Sequence, residues 1–274
     1  MCDWCVTHGK GKKWYLNMQN HARELMETKE RVDEINRFYE TREKDVASSV
    51  YNVLKKLENP SAVDSVRREL EAAVSRHLQT QIVTVEDARA ILKLASPIAK
   101  VACACRRRMR ARDADKVCLA LGFMADLGKE WPDYTRGGVD YVSTDEAIEY
   151  AEKMGRKGYV HNVHSFMMPY VAFLCHCEVW SCDPLYRRRA YGDLWNFYCR
   201  KAEYVATVEL DQCIGCGKCV ARCQFGALTL SRDLGKVILD MRKCFGCGVC
   251  RAACENEAIR MLPRSENPVV KDMW

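Results

Sequence analysis

Cysteine carries the chemistry of this sequence: 17 of its 274 residues are cysteine. Cys213, Cys216, Cys219 and Cys223 follow the spacing C-x2-C-x2-C-x3-C, and Cys244, Cys247, Cys250 and Cys254 repeat it 31 residues later. Three thiolates this close can wrap one corner of a cubane of iron and sulfide. The glycines between them (Gly215, Gly217, Gly246 and Gly248) let the backbone turn tightly and aim amide N–H groups at the sulfurs. The fourth cysteine of each run is expected to open a short helix and point the other way. The same thiols could frame zinc or disulfides, but two matched runs of four favour clusters. The repeat extends past the cysteines: Ala227 maps onto Ala258, Leu228 onto Ile259 and Leu230 onto Met261. Ile214, Val220, Val237, Ile238 and Phe245 are expected to shield the clusters.

The stretch from Asp211 to Leu262 resembles the bacterial two-[4Fe-4S] ferredoxin fold. That resemblance implies crossed ligand sets, Cys213, Cys216, Cys219 and Cys254 for one cluster and Cys244, Cys247, Cys250 and Cys223 for the other. Gln224 and Glu255 stand where the family carries a proline. The change loosens the local backbone and removes no ligand.

The remaining nine cysteines are the open question. Cys2, Cys5 and His8 form a C-x2-C-x2-H cluster that can share a metal, with a fourth ligand from elsewhere; the bland alternative is a tail with free thiols. Two C-x-C pairs follow. A strand over Ile98–Ala102 is expected to deliver Cys103 and Cys105, and one from Tyr170 to Leu174 leads into Cys175 and Cys177. On a strand, residues i and i+2 share a face, so each pair can meet one metal. With Cys118, expected on a helix over about 113–127, these five thiols are candidates for a third site, either an iron–sulfur cluster or zinc. The competing reading is small buried hydrophobes. Cys182 and Cys199 are weaker candidates, and His161, His164 and His176 read as satisfied histidines.

A second resemblance covers nearly the whole chain. The C-x2-C-x2-H-G opening, the C-x-C-R, Cys118-Leu119, Val160-His161, the second C-x-C and the terminal ferredoxin run are similar to a family of anaerobe ferredoxin-domain proteins. Members carry a denser cysteine cluster after the second C-x-C, where only Cys182 stands here, so the ligand set stays open.

The elements that must position these thiols follow from periodicity and caps. Leu25, Val32, Ile35, Phe38, Tyr39, Val46, Val50, Leu54 and Leu57 recur at helical steps, which predicts helix from Trp14 to Glu58. Asn59-Pro60 stops it, and a second helix is expected over Ser61–His77, with Val63, Val66, Leu70 and Val74 inward. Thr84 with Asp87 and Ser143 with Glu146 read as capping boxes for helices reaching about Leu94 and Lys157. Tyr159–His161 reads as strand, and Pro184 starts a helix expected to reach Lys201. The fold class is therefore α+β. The expected units are a helical N-terminal arm (1–83), a small mixed α/β module with the C-x-C pairs (84–205), a two-cluster ferredoxin-like domain (206–262) and a tail (263–274).

A formal charge of +6 is modest and does not imply nucleic acid. No apolar run reaches the 18 residues of a membrane span, and the N-terminus lacks a signal peptide's apolar core. So many cysteines without an export signal suit a reducing cytoplasm and an anaerobic setting. The basic runs at 106–108 and 187–189 read as solvated faces, with docking of an acidic redox partner as the sharper alternative. No glycine fingerprint for a nucleotide stands out. The expected function is single-electron transfer through two [4Fe-4S] clusters to a redox partner protein. The alternatives are a reductase with a substrate-binding third cluster and a redox sensor.

Overall fold

The computed structural model describes residues 13–41, 46–73, 78–110, 116–130, 138–166 and 169–274. Cys2, Cys5 and His8 lie outside the described residues. In chain order the elements are α1 (Lys29–Thr41), α2 (Val46–Leu57), α3 (Val63–Ala73), β1 (Leu78–Val83), α4 (Val85–Leu94), β2 (Ile98–Val101), α5 (Ala104–Arg110), β3 (Cys118–Leu121), α6 (Phe123–Leu127), β4 (Asp140–Val142), α7 (Thr144–Arg156), β5 (Val160–Phe166), β6 (Val171–Cys177), α8 (Asp183–Tyr191) and β7 (Cys199–Arg200). The terminal domain adds β8 (Tyr204–Val208), α9 (Lys218–Arg222), β9 (Leu228–Ser231), β10 (Lys236–Leu239), α10 (Val249–Ala252) and β11 (Ile259–Pro263). The fold is α+β. No helix among the described residues is long and apolar enough to cross a membrane.

Seven strands form one sheet in the order β4-β2-β3-β6-β5-β1-β7, antiparallel throughout except for the parallel β1–β7 pair. Alternation along a strand sends neighbouring residues to opposite faces. Leu174 therefore joins one core with Val163, Leu119, Ile91 and Ala151, under α4 and α7. Cys175 and Cys177 join the other, with Val50, Val66 and Leu185 from α2, α3 and α8. Because β1 lies between β5 and β7, the residues before 84 contribute a strand to the sheet.

Ser143 makes the reciprocal capping box at the start of α7, and the Thr84 side chain accepts from the Asp87 N–H at the start of α4. Other local expectations fail for identifiable reasons. Residues 14–25 are short 3-10 turns rather than α-helix. Trp14 and Tyr15 are pulled into the core, where the Trp14 indole N–H donates to Gln81 Oε1 at 2.7 Å and the Tyr15 hydroxyl donates to Asp87 Oδ2 at 2.7 Å. Tertiary burial overrides the helical period there. Val63 is exposed, whereas Val66 and Leu70 face inward. Cys118 sits on a strand, not a helix, because the apolar run Cys118–Leu121 is buried between β2 and β6. The helix begun at Pro184 ends at Tyr191, where Gly192 turns the chain at a φ of 58° toward β7.

The terminal domain keeps the internal repeat. β8 pairs with β11 and β9 with β10, both antiparallel.

Candidate metal centres

In the terminal domain, the loop before each short helix is shaped by glycine. Gly217 and Gly248 cap α9 and α10 in the left-handed region. At Gly215 and Gly246, φ is 67° and 74°, and a Cβ would collide with the carbonyls of Gly235 and Tyr204. Only glycine fits both the angle and the approach.

The cysteines gather into two sets. The Cys250 thiol lies in the field of Cys247, Cys244 and Cys223, and the Cys219 thiol in that of Cys254 and Cys213. Each run thus sends its fourth cysteine to the other run's group. The Ala227 N–H donates to Cys223 Sγ at 3.3 Å and the Ala258 N–H to Cys254 Sγ at 3.3 Å, so the repeat extends to its sulfur hydrogen bonds. Burial pushes the Cys247 thiol up to about 12 and Cys250 well above its usual range. Thiolates form in such surroundings only beside strong positive charge, which bound iron supplies. Phe225 and Phe245 stack at 4.1 Å and line a cavity with Cys223, Cys244, Cys247 and Cys250. Val237 is buried as a shield should be, but Ile214 (66% exposed) and Ile238 (44%) are not, because the first lies in an exposed loop and the second faces out of a two-stranded hairpin.

The second collection lies on the inner face of the seven-stranded sheet. Strand registry sets Asn162, Cys175 and Cys118 side by side across β5, β6 and β3, with Val101 next in line on β2. The first C-x-C is not strand-borne: β2 ends at Val101, Cys103 follows it and Cys105 lies in α5. The helical turn still brings both thiols inward. Cys103 hydrogen-bonds Cys105 and Cys118, and Cys118 also meets Cys175. Cys182 meets Cys105 and Cys177, and Cys177 meets His164. Six thiols thus form one chain of contacts drawn from β3, β6, α5 and the loops beside them. The hydrogen bond to Cys182 pulls the Cys177 thiol down to about 7 against burial, and burial with bonds to Cys105 and Cys177 raises Cys182 well above its usual range. Cys199 is buried nearby on β7, and burial raises it to about 12, but none of the six thiols hydrogen-bonds to it. Among the described residues no three His, Cys, Asp or Glu side chains converge on a single ion position, and this holds for the ferredoxin cysteines as well.

The arginine runs are only partly solvent-facing. Arg106 is 3% exposed, reaches Glu178 at 3.7 Å and lies over the Tyr159 ring. Arg108 and Arg187 both pair with the buried Asp183, and Arg188 is buried against Gly192 and Asp193. Arg106 thus ties α5 to the loop between Cys177 and Cys182, and Arg108 ties α5 to the start of α8. His161 and His176 point to the other sheet face, bonded Nδ1 to Nδ1 at 2.9 Å. Sequence reasoning missed Asn162 altogether and underrated Cys182; only knowing the strand register and the return of the 178–183 loop would have found them.

A family model described as a 4Fe-4S dicluster domain matches residues 212–259. No curated protein matches the chain. The segment 212–259 is a ferredoxin-like iron–sulfur domain.

Proposed function

We propose that this chain is an electron-transfer protein that passes single low-potential electrons to a redox partner protein. The observation that carries this reading is the crossed approach of Cys223 and Cys254 inside the matched domain. Cys213, Cys216, Cys219 and Cys254 would hold one [4Fe-4S] cluster, and Cys244, Cys247, Cys250 and Cys223 the other. Bound clusters supply one-electron storage. The chain's own residues hold the irons, aim the Ala227 and Ala258 N–H groups at sulfur, and exclude water through Phe225, Phe245 and Val237. Cys216 and Ile214 are exposed, so the first set reaches the surface where a partner would dock. A third metal or cluster site among the sheet-module thiols belongs to the same reading, as does a reducing, cytoplasmic setting.

A reductase reading draws on one observation. A cavity of about 250 Å³ is lined by Cys247, His161, Arg89, Arg156, Arg251 and Glu86, and the buried Nε2 of His161 has no hydrogen-bond partner among the described residues. A small substrate bound there would sit beside the second thiol set.

The test is iron, sulfide and zinc content of anaerobically purified protein with EPR of the reduced form. At least about eight iron and eight sulfide per chain are expected. Cys223→Ser should alter one [4Fe-4S] signal and Cys254→Ser the other. Zinc without iron, or both variants altering one signal, would overturn the assignment.

A further inference from the structure

Resting on the reading that this chain binds iron–sulfur clusters, we infer that Cys103, Cys105, Cys118, Cys175, Cys177 and Cys182 form a single binding site for a third such cluster. Five of them follow from the two C-x-C pairs and Cys118; the sixth, Cys182, is brought in by the fold through its bonds to Cys105 and Cys177.

Four observations support a cluster here rather than a set of inert core thiols. First, the donor set is all sulfur apart from His164 at Cys177, which is the soft environment that iron–sulfur centres take. Their bonds run pairwise from Cys175 through Cys118, Cys103, Cys105 and Cys182 to Cys177, and among the described residues no three of them converge on one ion position. A cluster's separated corners fit that layout better than one tetrahedral ion does.

Second, Asn162 is wholly buried, and among the described residues neither its Oδ1 nor its Nδ2 has a hydrogen-bond partner. Its cross-strand neighbour is Cys175, so the amide lies on the thiol face of the sheet. Leaving such a group unpaired is costly, and native interiors rarely do so. An amide N–H donating to a cluster sulfur would satisfy it.

Third, the Arg106 backbone N–H points at Cys103 Sγ at 3.5 Å, the kind of N–H to sulfur contact that recurs at Cys223 and Cys254. Fourth, the fold buries Arg106 and Arg188 on elements flanking the thiols, where each also pairs with a more exposed carboxylate, Glu178 and Asp193. Buried cations offset the negative charge of a thiolate-ligated cluster. Cys199 shares the burial but not the thiol network, and it stands outside the set.

The test compares the wild-type chain with a Cys118→Ser/Cys175→Ser double variant, Cys182→Ser and Cys199→Ser, all loaded anaerobically with iron and sulfide. Readouts are metal content and Mössbauer spectra. The wild type should hold about twelve irons, and the double variant about eight. Cys182→Ser should lose or reshape the extra spectrum, and Cys199→Ser should leave it unchanged. About eight irons in the wild type, zinc in place of the third set of irons, or equal losses in Cys182→Ser and Cys199→Ser would each overturn the inference. The wild-type count decides even if the double variant does not fold. Failure of the two-cluster reading is separate: it would show as fewer than about eight irons in the wild type, or as no effect of Cys223→Ser and Cys254→Ser.

Discussion

The side chain of Gln224 accepts a hydrogen bond from the Val179 backbone N–H at 2.8 Å, and its amide nitrogen donates to the Gly158 carbonyl at 2.6 Å. Gln224 directly follows Cys223, and Val179 lies between Cys177 and Cys182. One side chain therefore fastens the second ferredoxin thiol set to the loop that carries two of the sheet-module thiols. A proline at this position could make neither bond. The equivalent residue of the other run, Glu255, pairs with Lys218 at 2.6 Å on the surface of its own domain. The two departures from the ferredoxin pattern thus serve different ends.

Gln224→Leu keeps the volume but leaves the Val179 N–H and the Gly158 carbonyl unpaired. Each lost partner costs about 1–3 kcal/mol when the abandoned group stays buried. We expect a lower unfolding midpoint and faster amide exchange over residues 177–182, with iron content unchanged. Unchanged exchange in that loop would show that the contact does not hold the two parts together.

Glycine substitutions separate backbone angle from space. Gly226 has φ 64° with open space around its Cβ position, while Gly246 has φ 74° and would drive a Cβ into the Tyr204 carbonyl. Gly226→Ala should cost only about 1–2 kcal/mol for the left-handed angle. Gly246→Ala should cost more and should also lower iron occupancy of the second set, as measured by iron per chain. Equal effects would mean that the close approach to β8 does not matter.

The same contrast explains what the sequence could reveal. Cysteine spacing and glycine placement are local, so the ferredoxin-like iron–sulfur motif over residues 212–259 was legible in the sequence. The capped starts of α4 and α7 were legible because Thr84 and Ser143 act within one turn. The position of Cys118 was not, because Cys118–Leu121 is held as strand by neighbours from β2 and β6. Trp14 and Tyr15 were misread as helix because their partners, Gln81 and Asp87, lie more than 60 residues away. Asn162 carried no signal of its own; its meaning comes from standing opposite Cys175.

Asp87 anchors the N-terminal segment. Its carboxylate accepts from Lys13 Nζ at 2.6 Å and from the Tyr15 hydroxyl at 2.7 Å. Asp87→Ala would strand the buried Tyr15 hydroxyl and leave Lys13 only its bond to the Tyr204 hydroxyl, at a cost of roughly 3 kcal/mol. Tyr15→Phe removes one bond and should cost about 1 kcal/mol. Chemical denaturation of both variants checks the order; a larger loss for Tyr15→Phe would refute this account.

The buried histidine pair makes stability depend on acid. Burial pulls His161 down to about 4 against the opposing pull of Glu86, and it holds His176 well below its usual range, helped by His161 and Arg106. Both rings are therefore neutral near pH 7, with one Nδ1 donating and the other accepting. The unfolded chain takes up a proton at His161 near pH 6.5, whereas the folded chain does so only near 4. Between those values the unfolded state binds more protons, so folding stability falls as pH falls. One pH unit is worth about 1.4 kcal/mol per group, so acidifying from 6.5 to 5 should remove about 2 kcal/mol through His161 alone. Urea unfolding at pH 7 and pH 5, with iron absorbance followed in parallel to exclude cluster loss, measures this. His161→Gln keeps a donor and acceptor for His176 but cannot titrate, so its midpoint should fall less between the two pH values. If the wild type and His161→Gln lose the same stability, the acid sensitivity originates elsewhere.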